Sequence, residues 1–179
     1  MMKIGFAMCG SFCTMSKAIE VLEKLVSKGY DMVPIMSETM YTTDTRFGKA
    51  KEMQKKVERL TGKKIIHTIV DAEPIGPQDM TDVMIVAPCT GNTLAKLNHA
   101  ITDTAVTMAV KSHLRQNKPV LIALATNDAL GATAKNIAEM MNTKNISFVP
   151  MTKDDPENKP KSLVADFDLI EGILERDYK

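Results

Sequence analysis

The stretch IVAPCTGNTLAK, residues 85–96, decides how the rest of the chain is read. An apolar run meets a proline, then a series of small residues able to donate hydrogen bonds or allow close approach, then a lysine. Ala87 precedes a proline and is pushed toward extended backbone, so the spacing predicts a strand ending there, with Pro88 lifting the chain off the sheet edge. Gly91 permits backbone conformations closed to other residues, while Thr90, Asn92 and Thr93 offer side-chain donors and a helix cap. Lys96 is expected in the first turn of the following helix, where the macrodipole disfavours a cation unless an anion lies nearby. Lys17 repeats the pattern near the N-terminus. Bound phosphate or carboxylate explains both lysines, and ordinary surface lysines near helix starts are the alternative.

Outward from this stretch, short apolar runs alternate with helical spacing. KIGFAM (3–8), DMVPIM (31–36), KIIHTIV (64–70), DVMIVA (82–87), PVLIALA (119–125) and ISFVP (146–150) read as six strands. Between the first two, Ala18, Val21, Leu22 and Leu25 share one helical face that stops at Gly29. Residues 46–62, 102–117 and 132–143 carry the same periodicity. Alternation of this kind predicts an α/β chain of three layers, a parallel sheet of about six strands with helices on both faces. Two segments break the rhythm, DAEPIGPQDM (71–80) and TKDDPENKPKS (152–162), and both are expected to be surface excursions. The second leads into an expected C-terminal helix over 163–176.

At 179 residues one buried core is expected, hence one domain over 1–179. A net charge of +1 gives no basic excess for nucleic acid or an anionic membrane surface, and no apolar run approaches a membrane span. A cytoplasmic protein acting on small molecules or other proteins is the expectation. Cys9, Cys13 and Cys89 form neither an even set nor a CxxC pair, so no disulfide framework and no metal site are expected.

Ligands of parallel sheets bind at the carboxyl ends of the strands, so each loop that follows a strand is a candidate. After the first strand, CGSFCTMSK lacks the G-x-G-x-x-G of dinucleotide sites, leaving Gly10 for close approach and Ser11 and Thr14 as donors. That set suits a phosphate monoester at a helix start, or an ordinary capped turn. Ser37 and Thr39 follow the second strand, and Glu38 beside them is expected to be solvated. In LATNDALG, Asn127 and Asp128 place an amide and a carboxylate on the same edge, although Asn127 also suits a turn. His67 is either a packed strand histidine or a general base, and His99 and His113 are expected at the surface.

Taken together, GS at 10–11, APCTGNTLAK at 87–96 and ATNDALG at 125–131 resemble the flavoprotein family of homo-oligomeric, FMN-containing cysteine decarboxylases. In that family the loop reads roughly P-x-[ST]-[AG]-N-[ST]-x-x-K, matched by Pro88, Thr90, Gly91, Asn92, Thr93 and Lys96. The resemblance implies a flavodoxin-like Rossmann fold, FMN held by Gly10, Ser11, Ser37 and residues 88–93, and assembly into trimers or multiples of them. TRFG, DAEPIGP, TNDALG, TKNISFVP and NKPKSLVA are similar to a branch of the family found in spore-forming bacteria. For that branch the resemblance implies an oxidoreductase subunit in the mother cell, working with an A subunit of nicotinamide-type fold that brings NAD(P). The reaction implied is oxidation of dihydrodipicolinate to pyridine-2,6-dicarboxylate, with Lys96, Asn92 and Asn127 as partners for the dicarboxylate.

The decarboxylases carry P-x-M-N-x-x-M where this chain has LATNDAL, so Asn127 is matched and the methionines are not. Their catalytic histidine is matched by His67 across a longer spacing, because DAEPIGPQDM reads as an insertion. An FMN-dependent decarboxylase or prenyltransferase, and a non-catalytic partner subunit, stand as alternative functions.

Overall fold

The computed structural model describes residues 1–178. Five parallel strands form its centre: β1 (Lys3–Met8), β2 (Asp31–Met36), β3 (Val83–Cys89), β4 (Val120–Thr126) and β5 (Ile146–Phe148), in the order β2-β1-β3-β4-β5. Beyond the reach of the short β5, the end of β4 pairs antiparallel with β7 (Leu163–Ala165), and β7 pairs with β6 (Met151–Thr152). The flavodoxin-like architecture expected from the sequence is present, with an antiparallel ribbon added at one edge.

Side-chain alternation along the strands builds two cores. Ile4, Phe6 and Met8 of β1 face one side with Leu121 and Ala123 of β4, packed under α1 (Met15–Ser27), α3 (Ala50–Thr61) and α8 (Ile170–Asp177). Met84, Val86, Ile122 and Leu124 face the other, under α5 (Gly91–Asn98), α6 (Ala105–Leu114) and α7 (Ala134–Met141). Leu22 and Leu25, on the apolar stripe of α1, are fully buried. Truncating either to alanine removes about 2–5 kcal/mol of stability.

Three expectations need correction. KIIHTIV forms no strand: Ile66 makes one parallel bridge with Ile35, and the chain then turns into α4 (Ile69–Ala72), capped by the Thr68 hydroxyl. Beside β2 there is room for a single bridge before the helix cap takes over. Strand β3 does not stop at Ala87 but runs through Pro88 to Cys89, because a register shift between Val86 and Cys89 accommodates the proline. The Pro88 carbonyl accepts from the Cys9 amide at 3.0 Å. The helix expected over 163–176 is instead β7 followed by a short 3₁₀ turn and α8.

Of the two expected excursions, 152–162 is at the surface, whereas 71–80 is there only in part, with Pro77, Gln78 and Asp79 exposed. Residues 73–75 form a 3₁₀ turn wedged beside α6, with Ile75 buried in the second core, and the Gly76 amide donates to the Ser112 hydroxyl at 2.9 Å. The short α2 (Glu38–Thr42) follows β2.

Candidate functional site

The strand order reverses between β1 and β3, the point at which such sheets open a crevice beyond their carboxyl ends. The loops after β1, β3 and β4 enclose a cleft there of about 350 Å³, within the roughly 300–1,000 Å³ of small-molecule sites. Asp154 just past β6, Val164 of β7 and Cys13 complete its rim.

The first wall is Gly10 and Ser11. The Cys9 amide ties this loop to β3 through Pro88, and the Ser11 amide turns back on the Cys9 carbonyl at 2.8 Å. The Thr14 hydroxyl lies 3.0 Å from the Ser11 carbonyl and 3.1 Å from its Oγ, so Thr14 shapes the loop and does not line the cleft.

The second wall is the start of α5. Thr90 caps it, accepting from the Thr93 amide at 3.1 Å, and Thr93 itself is buried beneath. A Cβ on Gly91 would sit 2.7 Å from the Thr126 hydroxyl and 3.0 Å from that of Thr133, so only glycine lets this helix start approach the end of β4. Its first amides lack acceptors within the helix and carry the positive end of the dipole toward the cleft.

The third wall carries Asn127, exposed, and Asp128. The Thr126 hydroxyl at 2.7 Å and the Thr133 hydroxyl at 2.8 Å both donate to Asp128 Oδ1, and these two bonds hold its carboxyl below the usual carboxylate range. Cys9 and Cys89, at the ends of β1 and β3, are both buried and free. Interaction with Cys9 and burial push the Cys89 thiol well up.

Gly10, Ser11, Thr90, Gly91, Asn92 and Asn127 therefore converge on one cleft. The other expected site residues are placed elsewhere. The Ser37 hydroxyl accepts from the Met40 amide as the cap of α2, and Pro88 and Thr93 are buried in β3 and under α5. Lys96 stands in the last turn of α5, not the first, and donates to both oxygens of Asp103 at 2.8 Å. The His67 ring stacks on Tyr41 with centroids 3.8 Å apart and is not among the residues lining the cleft. His113, expected at the surface, is 1% exposed. Its ring nitrogens meet the Thr81 hydroxyl and the Pro119 carbonyl, and burial lowers its pKa to about 4.

Sequence reasoning missed Asp154, Thr126 and Thr133. The threonines flank Asp128 by two residues before and five after, a spacing that becomes informative only once the loop is known to close on itself. Among the described residues no three histidine, cysteine or acidic side chains converge on a possible metal, and no helix is long and apolar enough to cross a membrane.

A phosphate-bearing cofactor such as FMN fits this cradle. Ser11 and Asn92 are neutral donors beside a helix N-terminus, and Gly91 keeps that helix start close against the end of β4 at the edge of the cleft.

The model of the family described as Flavoprotein matches residues 1–173. The B subunit of dipicolinate synthase from Bacillus subtilis is 44% identical over 97% of this chain and 87% of its own length. The crystal structure of the corresponding B subunit from Bacillus halodurans superposes with a TM-score of 0.88 at 41% identity, covering 97% of this chain and 89% of that one. Burkholderia xenovorans DmrB in complex with FMN, described as a cubic protein cage for redox transfer, is 16% identical with a TM-score of 0.70, covering 97% and 93%, and shares the fold.

Proposed function

The chain belongs to the flavoprotein family, and from that premise we propose that it is the B subunit of a dipicolinate synthase. It would bind FMN in the cleft between the β1 and β3 loops and act with the A subunit, which brings NAD(P), in oxidising dihydrodipicolinate to dipicolinate during sporulation. The observation that carries this reading is the cradle itself, in which Ser11, Thr90 and Asn92 converge at the switch point of a chain so similar to two B subunits.

Bound FMN would supply a two-electron acceptor, with the chemistry carried by the cofactor. The residues of this chain bind and orient. Gly10, Gly91 and the amides opening α5, which line the cleft, would hold the cofactor's phosphate. The Asn127 amide, in the cleft lining, would donate to a substrate carboxylate. Asp128, held as the anion by two threonine hydroxyls, keeps that loop rigid and is a weak base. His67 takes no step in this scheme, since its ring is packed on Tyr41.

That last point favours a second reading, in which this chain is a non-catalytic partner that holds or delivers substrate while the A subunit performs proton and hydride transfer. Decarboxylation is disfavoured because LATNDAL, at the end of β4, lacks the methionines that the decarboxylases carry there. Assembly into a homo-oligomer, a trimer or a multiple of it, and action in the mother cell of a spore-former belong to the same proposal.

The test is dipicolinate formation by the purified A subunit on its own, by this chain on its own, and by the two together. The proposal expects product only with both. Equal rates from the A subunit without this chain would contradict it, and full activity with flavin-stripped chain would select the second reading.

A further inference from the structure

A dicarboxylate would bring two negative charges to a cleft that already holds the carboxylates of Asp128 and Asp154, with no lysine or arginine among its described lining residues. Lys96, the expected counter-cation, is committed to Asp103. The charge has to be met from the rim, and the rim is the polar segment 152–162.

That segment is anchored on the β4 loop. The Leu130 amide donates to the Lys161 carbonyl at 3.0 Å, and Ser162, 1% exposed, places its hydroxyl 3.3 Å from the Thr126 carbonyl. The Lys161 stem crosses over Gly131, with Cδ 3.4 Å from where a Cβ would stand, and no described ion pair includes its ammonium. Lys159 Nζ lies 3.2 Å from Asp154 Oδ2, so its ammonium is paired with an acid of the cleft rim.

Building on the substrate reading above, we infer that Lys159 and Lys161 are the dicarboxylate-recognising cations, Lys159 exchanging Asp154 for one substrate carboxylate and Lys161 receiving the other. The exchange costs little, because an exposed ion pair such as Lys159–Asp154 is screened by water and contributes little net stability. Asp154 is not stranded when it loses the ammonium, since it is exposed and water takes the ammonium's place. Asp154 thus serves as a stand-in anion that keeps the empty cleft from carrying an unpaired cation, and it sets a threshold that a monocarboxylate clears less well than a dicarboxylate.

Calorimetric titration of the full chain at low salt with pyridine-2,6-dicarboxylate and with pyridine-2-carboxylate tests this. Lys159→Gln and Lys161→Gln should each weaken the dicarboxylate about tenfold, the worth of one charge-assisted hydrogen bond, and the monocarboxylate much less. Asp154→Asn should tighten the dicarboxylate, the opposite sign, which general damage to the loop would not produce. Wild-type chain that binds the dicarboxylate while all three variants match it overturns the lysine assignment and leaves the substrate reading standing. Wild-type chain that binds neither acid overturns both.

Discussion

Residues 71–80 and 152–162 look alike in sequence, each a polar, proline-bearing break in an otherwise regular alternation, yet the fold uses them oppositely. The first is a wedge. Ala72 and Ile75 are buried, and Gly76 sits so close to α6 that a Cβ would stand 2.0 Å from the Ser112 carbonyl oxygen. The second is a rim whose charged side chains are mostly exposed while its ends are fastened to β4 and β7. What separates them in sequence is the pair of apolar residues at 72 and 75, three apart, which one turn of helix can point at a core. The 152–162 segment has no such pair. Proline and polarity mark where regular structure ends, but they do not say whether the break is packed.

The largest effect should come from filling the space under the wedge. Gly76→Ala forces a methyl into a backbone carbonyl that cannot yield, and a loss of about 3 kcal/mol or more is expected in urea unfolding. A loss within about 0.5 kcal/mol would show the 71–80 segment to be as loose as its composition suggests.

The next largest is acid sensitivity of the same region. His113 bonds Thr81, just past the wedge, and its pKa is lowered from 6.5 to about 4 by burial. The unfolded chain therefore takes up this proton before the folded one does. The contribution is whole above pH 6.5 and is lost as pH falls toward 4, by roughly 3 kcal/mol in all. His113→Gln should flatten the fall in stability between pH 7 and 4. A slope equal to that of the wild type would remove His113 as its source.

The smallest effect on stability is expected at the rim. Lys159→Gln, Lys161→Gln and Asp154→Asn should each leave the thermal unfolding midpoint within about 2 °C of the parent, even as they alter dicarboxylate binding. A large drop would make the segment 152–162 a structural element like the wedge and would end the contrast.

Much of the fold was legible because its parallel strands are buried on both faces and read as continuous apolar runs. Strands β1, β2 and β4 fall within a residue of where the sequence puts them. KIIHTIV failed because apolar content does not reveal whether a strand partner is available: with β2 at the sheet edge, only Ile66 bridges to it before Thr68 caps α4. Within the cleft, Gly10, Ser11, Thr90, Gly91, Asn92 and Asn127 were legible because small residues after a strand have few uses other than close approach. Lys96 misled because a helix starting at Gly91 ends within eight residues, turning an expected first-turn lysine into a last-turn one, where the dipole favours it. Asp154 and Lys159 were not legible at all, since only the pairing of β6 and β7 with the end of β4 brings their segment to the cleft.

The central claim is that the loops after β1 and β3 hold the phosphate of a flavin. Titration of FMN into the flavin-stripped chain, followed by absorbance and by flavin fluorescence, tests it most directly, with Asn92→Asp alongside. The claim predicts saturable binding by the parent chain and clearly weaker binding by the variant, whose added negative charge at the start of α5 opposes the phosphate. A parent chain that takes up no FMN, or a variant that binds it equally well, would contradict the claim.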